Sequence, residues 1–361
     1  MTANLTTRLG QLTSTPAGGP YVGKNRIING NQVIDQRNAG AAVTQTNTVL
    51  YITDRFQVIM AAISTQTLVS QQVTDAPTGF NYSLKATTGG TGAAPGAGSL
   101  ASAYQVIEGY NVADLMLGTA SAATFTLSFW VKCSVTGTFS VAFQNNAQNR
   151  SYIATYVVNS ASTWEYKTIT ITGDTTGTWL TTNGGGLIAR WDYGAGSTYQ
   201  STAGSWQAGN HMATAASVKL IATTGATMAI TGVQLEAGTI ATPYEFNQYQ
   251  VQLAQCQRYY NKYNFTTNDP VANGNAYTSS NAYGVLPLTV SMRTSPSCSW
   301  TGNIVWFSNG ATTTNTSVSF NNTTVNTVEI SQALSAPAGT AGTGGWWRAG
   351  GTASLAASAE L

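Results

Sequence analysis

Between Phe125 and Ser134 the side chains alternate strictly. Phe125, Leu127, Phe129, Val131 and Cys133 fall on one face of an extended chain; Thr126, Ser128, Trp130, Lys132 and Ser134 fall on the other. A period of two marks a strand with one buried face. Further strands are predicted at 80–84, 139–144, 151–158, 164–172, 187–193, 217–221 and 227–236, parted by turns such as Gly137, Asn145-Asn146 and Gly173-Asp174. Many short strands at this spacing fold into a sandwich or jelly roll rather than a parallel α/β sheet. The stretch TTGGTGAAPGAG at 87–98 is too rich in glycine for a strand and predicts an exposed loop.

Charge narrows the function. Only 8% of the 361 residues are Asp, Glu, Lys or Arg, and the formal net charge is +2; an ordinary soluble domain carries about 25%. Recognition of a phosphate backbone needs clustered Lys and Arg, so no nucleic-acid partner is expected. Aromatic residues make up 10%, which argues against disorder. Cys133, Cys256 and Cys298 stand far apart and indicate neither a disulfide framework nor a zinc site. No apolar run approaches the ~18 residues of a membrane span, and MTANLTTRLG lacks the apolar core of a signal peptide. A chain rich in Thr, Ser, Asn and Gly suits an extracellular or particle-borne β protein.

Four segments follow. Residues 1–25 read as an arm, and residues 1–60 carry five basic against two acidic side chains. Residues 26–242 read as a jelly-roll domain. At 243–263 the period changes: Thr242 is placed to cap a helix, Pro243 suits its first turn, and Glu245 sits where a capping-box partner belongs. Phe246, Tyr249, Leu253, Cys256, Tyr260 and Tyr263 then follow at spacings 3-4-3-4-3, an a/d seam about two and a half heptads long. Such a seam predicts self-association, and its large aromatics favour three strands over two. The other reading is an amphipathic helix lying on its own domain. Residues 264–361 return to β and are long enough for a smaller sandwich, with strands at 302–308, 315–320, 325–330 and 346–358 and with LTVSMRTS bracketed by Pro287 and Pro296.

Three stretches carry a resemblance: NRIINGNQVIDQRNAGAAV at 25–43 with TDRF at 53–56, GVQLEAGTIATPYEFNQYQVQLAQCQRYYNKY at 232–263, and GWWRAGGTASLAASAEL at 345–361. Together they resemble bacteriophage tail-fibre and related virion appendage proteins. LSFWVKCSVTGTFSVAF and the 164–172 strand are similar to the jelly roll of carbohydrate-binding modules. The resemblance implies a homotrimer in the virion, docked to other virion proteins through the N-terminal arm and displaying a β domain to a host-surface glycan. A capsid-attached fibre or decoration protein and a non-viral secreted carbohydrate-binding module are the alternatives.

No enzymatic constellation stands out. Glycosidases need two carboxylates across one cleft; Asp174, Asp192 and Glu165 are candidates, but none sits in a motif, and isolated acids among turns usually form the turn. A serine triad would have to use His211, the single histidine, and no GxSxG elbow accompanies it. No cofactor is expected. A structural calcium at a jelly-roll loop needs six to eight oxygens, and no residues are assigned to one. Binding through aromatic platforms is the better prospect, because sugars have apolar faces. Trp191 and Tyr193 share a face with Leu187 and Ala189 and are core or platform. Trp130 stands among polar neighbours, as a platform or packed under a loop. Trp300, Trp306, Trp346 and Trp347 lie within about 50 residues, and in an extended chain Trp346 and Trp347 point to opposite faces. The expected receptor contact is therefore in 264–361, with Trp130 or Trp191 as the alternative.

Overall fold

The computed structural model describes residues 23–63, 65–308, 311–334 and 340–361. The expected docking arm, apart from its last three residues, lies outside them. The chain divides into two compact units, one ending at Gln248 and one running from Tyr249 to Glu360.

In the first unit one antiparallel sheet has the order β1 (Val43–Gln45), β4 (Gln66–Val73), β5 (Ser83–Gly90), β13 (Thr227–Ala237), β7 (Phe125–Cys133), β10 (Glu165–Ile171). The other has the order β12 (Trp206–Ala208), β9 (Arg150–Val158), β8 (Gly137–Gln144), β11 (Gly185–Asp192), β6 (Leu100–Glu108), β3 (Phe56–Ala61), β2 (Val49–Thr53). From β5 to β13 the chain passes repeatedly from one sheet to the other. This is the expected jelly-roll sandwich.

Its core is the layer between the sheets. Phe125, Leu127, Phe129, Val131 and Cys133 are all fully buried there, as their alternation requires. Phe129 meets Trp191 of β11 edge-on at 5.7 Å between ring centroids, and Phe125 meets Phe143 of β8 at 5.3 Å.

Three local expectations fail. The strand expected at 80–84 begins only at Ser83, with Phe80 in the turn before it. Residues 87–90 are not loop but the end of β5, paired with Gln66–Val69. Glycine suits that position, since a β-carbon on Gly89 would stand 2.4 Å from the Thr67 hydroxyl and Gly90 turns the chain at φ +78°. Residues 217–221 form no strand; a 3-10 turn at Leu220–Ala222 drops Leu220 and Ile221 into the core.

The helix is shorter than its seam predicts. α1 spans Tyr249–Gln257, and Tyr260 already begins a strand. The residues expected to cap it are engaged elsewhere. Thr242 donates through its N–H and hydroxyl to the buried Glu236 of β13 (2.9 and 2.7 Å). The Glu245 carboxylate accepts the N–H groups of Gly23 and Asn25, and the Glu245 N–H donates to Gln234. Only Tyr249, Leu253 and Cys256 of the six seam positions lie on α1; Phe246 precedes it, and Tyr260 and Tyr263 belong to the next strand.

In the second unit a three-stranded sheet, β14 (Tyr260–Phe265), β23 (Ala353–Ser358), β17 (Ser297–Thr301), packs with a seven-stranded one. The latter has the order β19 (Ala311–Asn315), β18 (Ile304–Ser308), β22 (Gly344–Ala349), β15 (Pro270–Thr278), β16 (Asn281–Pro287), β21 (Thr327–Ala333), β20 (Ser319–Asn321). The expected strand at 346–358 is two strands in different sheets, parted at Gly350-Gly351. LTVSMRTS runs irregularly between β16 and β17 and buries Met292.

Candidate functional site

On the outer face of β7, Trp130 lies directly opposite Tyr166 of β10, and the two rings approach to 5.4 Å. On its other flank β13 bulges between Thr231 and Gln234. Gly232, at φ +60°, sits in that bulge, and a β-carbon there would stand 2.7 Å from Cζ of Phe80 and 3.0 Å from Cδ1 of Trp130. Glycine is thus what lets the two rings close over the bulge. Phe80 comes from a turn closed by its own N–H on the Pro77 carbonyl.

Residues 241–246, pinned by Glu236 and Gln234, bring two more rings. Tyr244 and Phe246 meet at 4.8 Å, and each lies 5.2 Å from Phe80. The five rings surround an open cleft of about 580 Å3, completed by Thr78, Ser128, Thr242 and Pro243 among others. Phe246 is 59% and Tyr166 44% exposed, so ring faces are available to a ligand.

Among the described residues, no Asp, Glu, Lys, Arg or His lines the cleft. Of the charged groups around it, the Lys24 ammonium donates to the Thr242 hydroxyl and the Pro243 carbonyl, while Lys132 and Lys167 are ion-paired. Lys132, the next residue outward on β7, bonds Asp75 at 2.9 Å, and the Trp164 indole N–H donates to the same carboxylate. The Lys132 ammonium holds Asp75 below the usual carboxylate range against a smaller burial effect, with help from Trp164. Lys167 bonds Glu165 at 2.6 Å. Against the penalty of burial, Lys167 and the donors of Ser160 and Asn159 draw Glu165 down to about 2.

The other sequence candidates separate cleanly. Trp191 is fully buried between Phe56 and Phe129 and is core. Trp306 and Trp347 are also fully buried, opposite one another on β18 and β22 with ring centroids 4.6 Å apart. Glycines make room for them, since a β-carbon on Gly284 would stand 2.3 Å from Trp347 and one on Gly345 2.2 Å from Trp306. The Trp347 indole donates to Gln332 at 2.6 Å. These three tryptophans cannot present a ring to a ligand, which corrects their place among the binding candidates. Trp346 is 44% exposed, with the Arg348 guanidinium 4.5 Å from its ring centre. Trp300 is half-buried against Phe265. Beside that pair lies a smaller cleft of about 440 Å3, bordered by Lys262, Asn264, Thr301 and Ser354.

The acids considered for catalysis each serve their own surroundings. Asp174 is buried and held by the Arg150 fork at 2.7 and 2.8 Å. Asp192 is buried and accepts the N–H groups of Gly194 and Ala195. His211 sets its Nε2 3.2 Å from the Ala208 carbonyl.

Four of the five cleft rings escaped the sequence reading as ligand candidates. Tyr166 was within reach, since it alternates outward on the 164–172 strand. Phe80 and Tyr244 carry no local signal, and Phe246 was drawn into the seam by its spacing.

No family model matches the chain, and no curated protein does. Solved structures similar to it include a phage tailspike domain and carbohydrate-binding modules. The enzymatically active domain of tailspike protein 4 of bacteriophage CBA120 is 14% identical, with a TM-score of 0.30 over 59% of this chain and 21% of that one. The chain therefore spans about a fifth of that domain's length. The family 11 carbohydrate-binding module of a Clostridium thermocellum cellulase is 9% identical, with a TM-score of 0.29 over 55% of this chain and 99% of that one. The N-terminal cellulose-binding domain of Cellulomonas fimi β-1,4-glucanase C is 14% identical, with a TM-score of 0.21 over 63% and 100%. Likeness at this level carries no argument about function, which rests on the chain's own geometry.

Proposed function

We propose that this chain is a glycan-binding structural protein whose sugar site is the cleft around Trp130. One observation carries the reading: five aromatic rings from four separate stretches of chain converge on one open cleft without a charged side chain. Aromatic faces stack on the C–H faces of sugars, and a few hydroxyls at the rim fix orientation. The first unit replaces residues 264–361 as the favoured contact, because two of the four tryptophans counted there are core.

The wider reading follows from the sequence stretches that resemble phage fibres. The chain is a virion component, docked through residues 1–25 and assembled as a homotrimer. Three weak sites on one particle gain avidity through effective concentration. It acts without catalysis; Asp174 and Glu165 are bonded to Arg150 and Lys167.

Titration of the intact protein with soluble host-surface polysaccharide tests this. Trp130→Ala and Tyr166→Ala are expected to weaken binding at least about ten-fold, as loss of a stacked ring does. Affinity should hold between about 50 and 500 mM salt, since no ion pair is screened. Binding lost in Trp346→Ala and kept in Trp130→Ala would move the site to the second unit. New reducing ends, abolished by Asp174→Asn or Asp192→Asn, would make the protein a glycosidase.

A further inference from the structure

The same cleft joins a few hydroxyls to a cluster of aromatic rings, and that combination points to a ligand class. Its rim hydroxyls are Thr78, Ser128, Thr242, Tyr166 and Tyr244. The Thr242 hydroxyl is already held by Glu236 and Lys24, and the Tyr244 hydroxyl lies beside Gly30, where a β-carbon would stand 3.2 Å from it. Thr78, Ser128 and the Tyr166 phenol remain. Phe80, Tyr244 and Phe246 lean on one another at 4.8–5.2 Å and form an apolar corner.

A hexose hydroxymethyl group packed on those rings would give up part of its water for carbon, which is unfavourable. A methyl group there would gain apolar contact instead.

Resting on the glycan-binding reading above, we infer that the cleft selects 6-deoxyhexose residues, with the C6 methyl group seated among Phe80, Tyr244 and Phe246 and the ring stacked on Trp130.

Two sugar pairs isolate the group in question, since each differs only in the C6 oxygen. They are methyl α-L-fucopyranoside with methyl α-L-galactopyranoside, and methyl α-L-rhamnopyranoside with methyl α-L-mannopyranoside. The intact protein is titrated with each and followed by indole fluorescence and by saturation transfer to the sugar protons. At least one deoxy sugar should bind about ten- to a hundred-fold more tightly than its hydroxymethyl partner, the range a hydrophobic pocket achieves against an added hydroxyl. Saturation should be strongest at the C6 methyl protons. Trp130→Ala and the more exposed Tyr166→Ala should each remove the preference, while Trp346→Ala keeps it. Equal or tighter binding of both hydroxymethyl sugars, still dependent on Trp130, overturns the methyl selectivity and leaves the glycan site standing. Absence of binding by all four sugars and by neutral polysaccharide overturns both.

Discussion

Gly232 and Trp130 meet across the bulge in β13: a β-carbon on the glycine would stand 3.0 Å from Cδ1 of the indole. The cleft thus depends on a residue that contributes no side chain to it. Gly232→Ala forces an L-residue to φ +60° and drives a methyl group into Phe80 and Trp130. It is expected to destabilise the first unit by about 1–3 kcal/mol and to weaken sugar binding by splaying the rings. Urea denaturation and ligand titration check the two effects, and an unchanged cleft affinity would mean that the rings do not rely on this contact.

Trp346 and Trp347 should respond oppositely to truncation. Trp347→Ala empties a fully buried site against Trp306 and strands the Gln332 amide oxygen; a loss of about 3–5 kcal/mol is expected. Trp346→Ala removes an exposed ring and its Arg348 contact, for under about 1 kcal/mol. Denaturant unfolding of the two variants separates them, and equal losses would contradict the assignment of faces on β22.

Asp192 sets a pH dependence. Burial pushes its carboxyl up to about 7, against the pull of Lys219, the Gly194 and Ala195 N–H groups and Arg190. In the unfolded chain it titrates near ~3.9. Because the folded pKa is the higher one, its stabilising contribution is complete below about pH 4 and is lost as pH rises through about 7. The loss is on the order of 4 kcal/mol at most. Glu165, drawn down to about 2, works in the opposite sense and only at more acidic pH. Stability measured from pH 4 to 8 should fall in the wild type and fall less in Asp192→Asn; parallel curves would show that Asp192 does not carry the slope.

Self-association now rests on less of the chain than the spacing predicts. α1 offers Tyr249, 61% exposed, and Leu253 on one face. Light scattering at micromolar protein should give the mass of three chains. Leu253→Asp should release monomers by bringing three carboxylates together. A monodisperse wild-type monomer would remove the trimer from the proposal.

What the sequence revealed depended on whether a segment has one buried face or two. β7 was legible because Phe125 to Cys133 pack inward while Trp130 and Lys132 face outward. β6 was not, because all nine of its residues are buried, which erases the alternation. The 346–358 stretch named the right residues but concealed a change of sheet at Gly350-Gly351. The seam failed for a different reason. Thr242, Pro243 and Glu245 form a sound local helix start, yet Glu236, Gln234 and residues 23–25 outbid the helix for their polar groups. The cleft was legible only at Trp130, since its other rings come together through pairing and turns that no local pattern encodes.

Those same bonds have a mechanical meaning. Gly23 and Asn25 are joined to Glu245, Asn25 reaches the Val233 carbonyl, and Arg26 bonds the Leu235 carbonyl. Residues 23–26 and 233–245 are therefore joined at one place. Tyr244 and Phe246 stand on the segment these bonds restrain, so the N-terminal stretch at residues 23–26 helps to hold the aromatic cleft in shape.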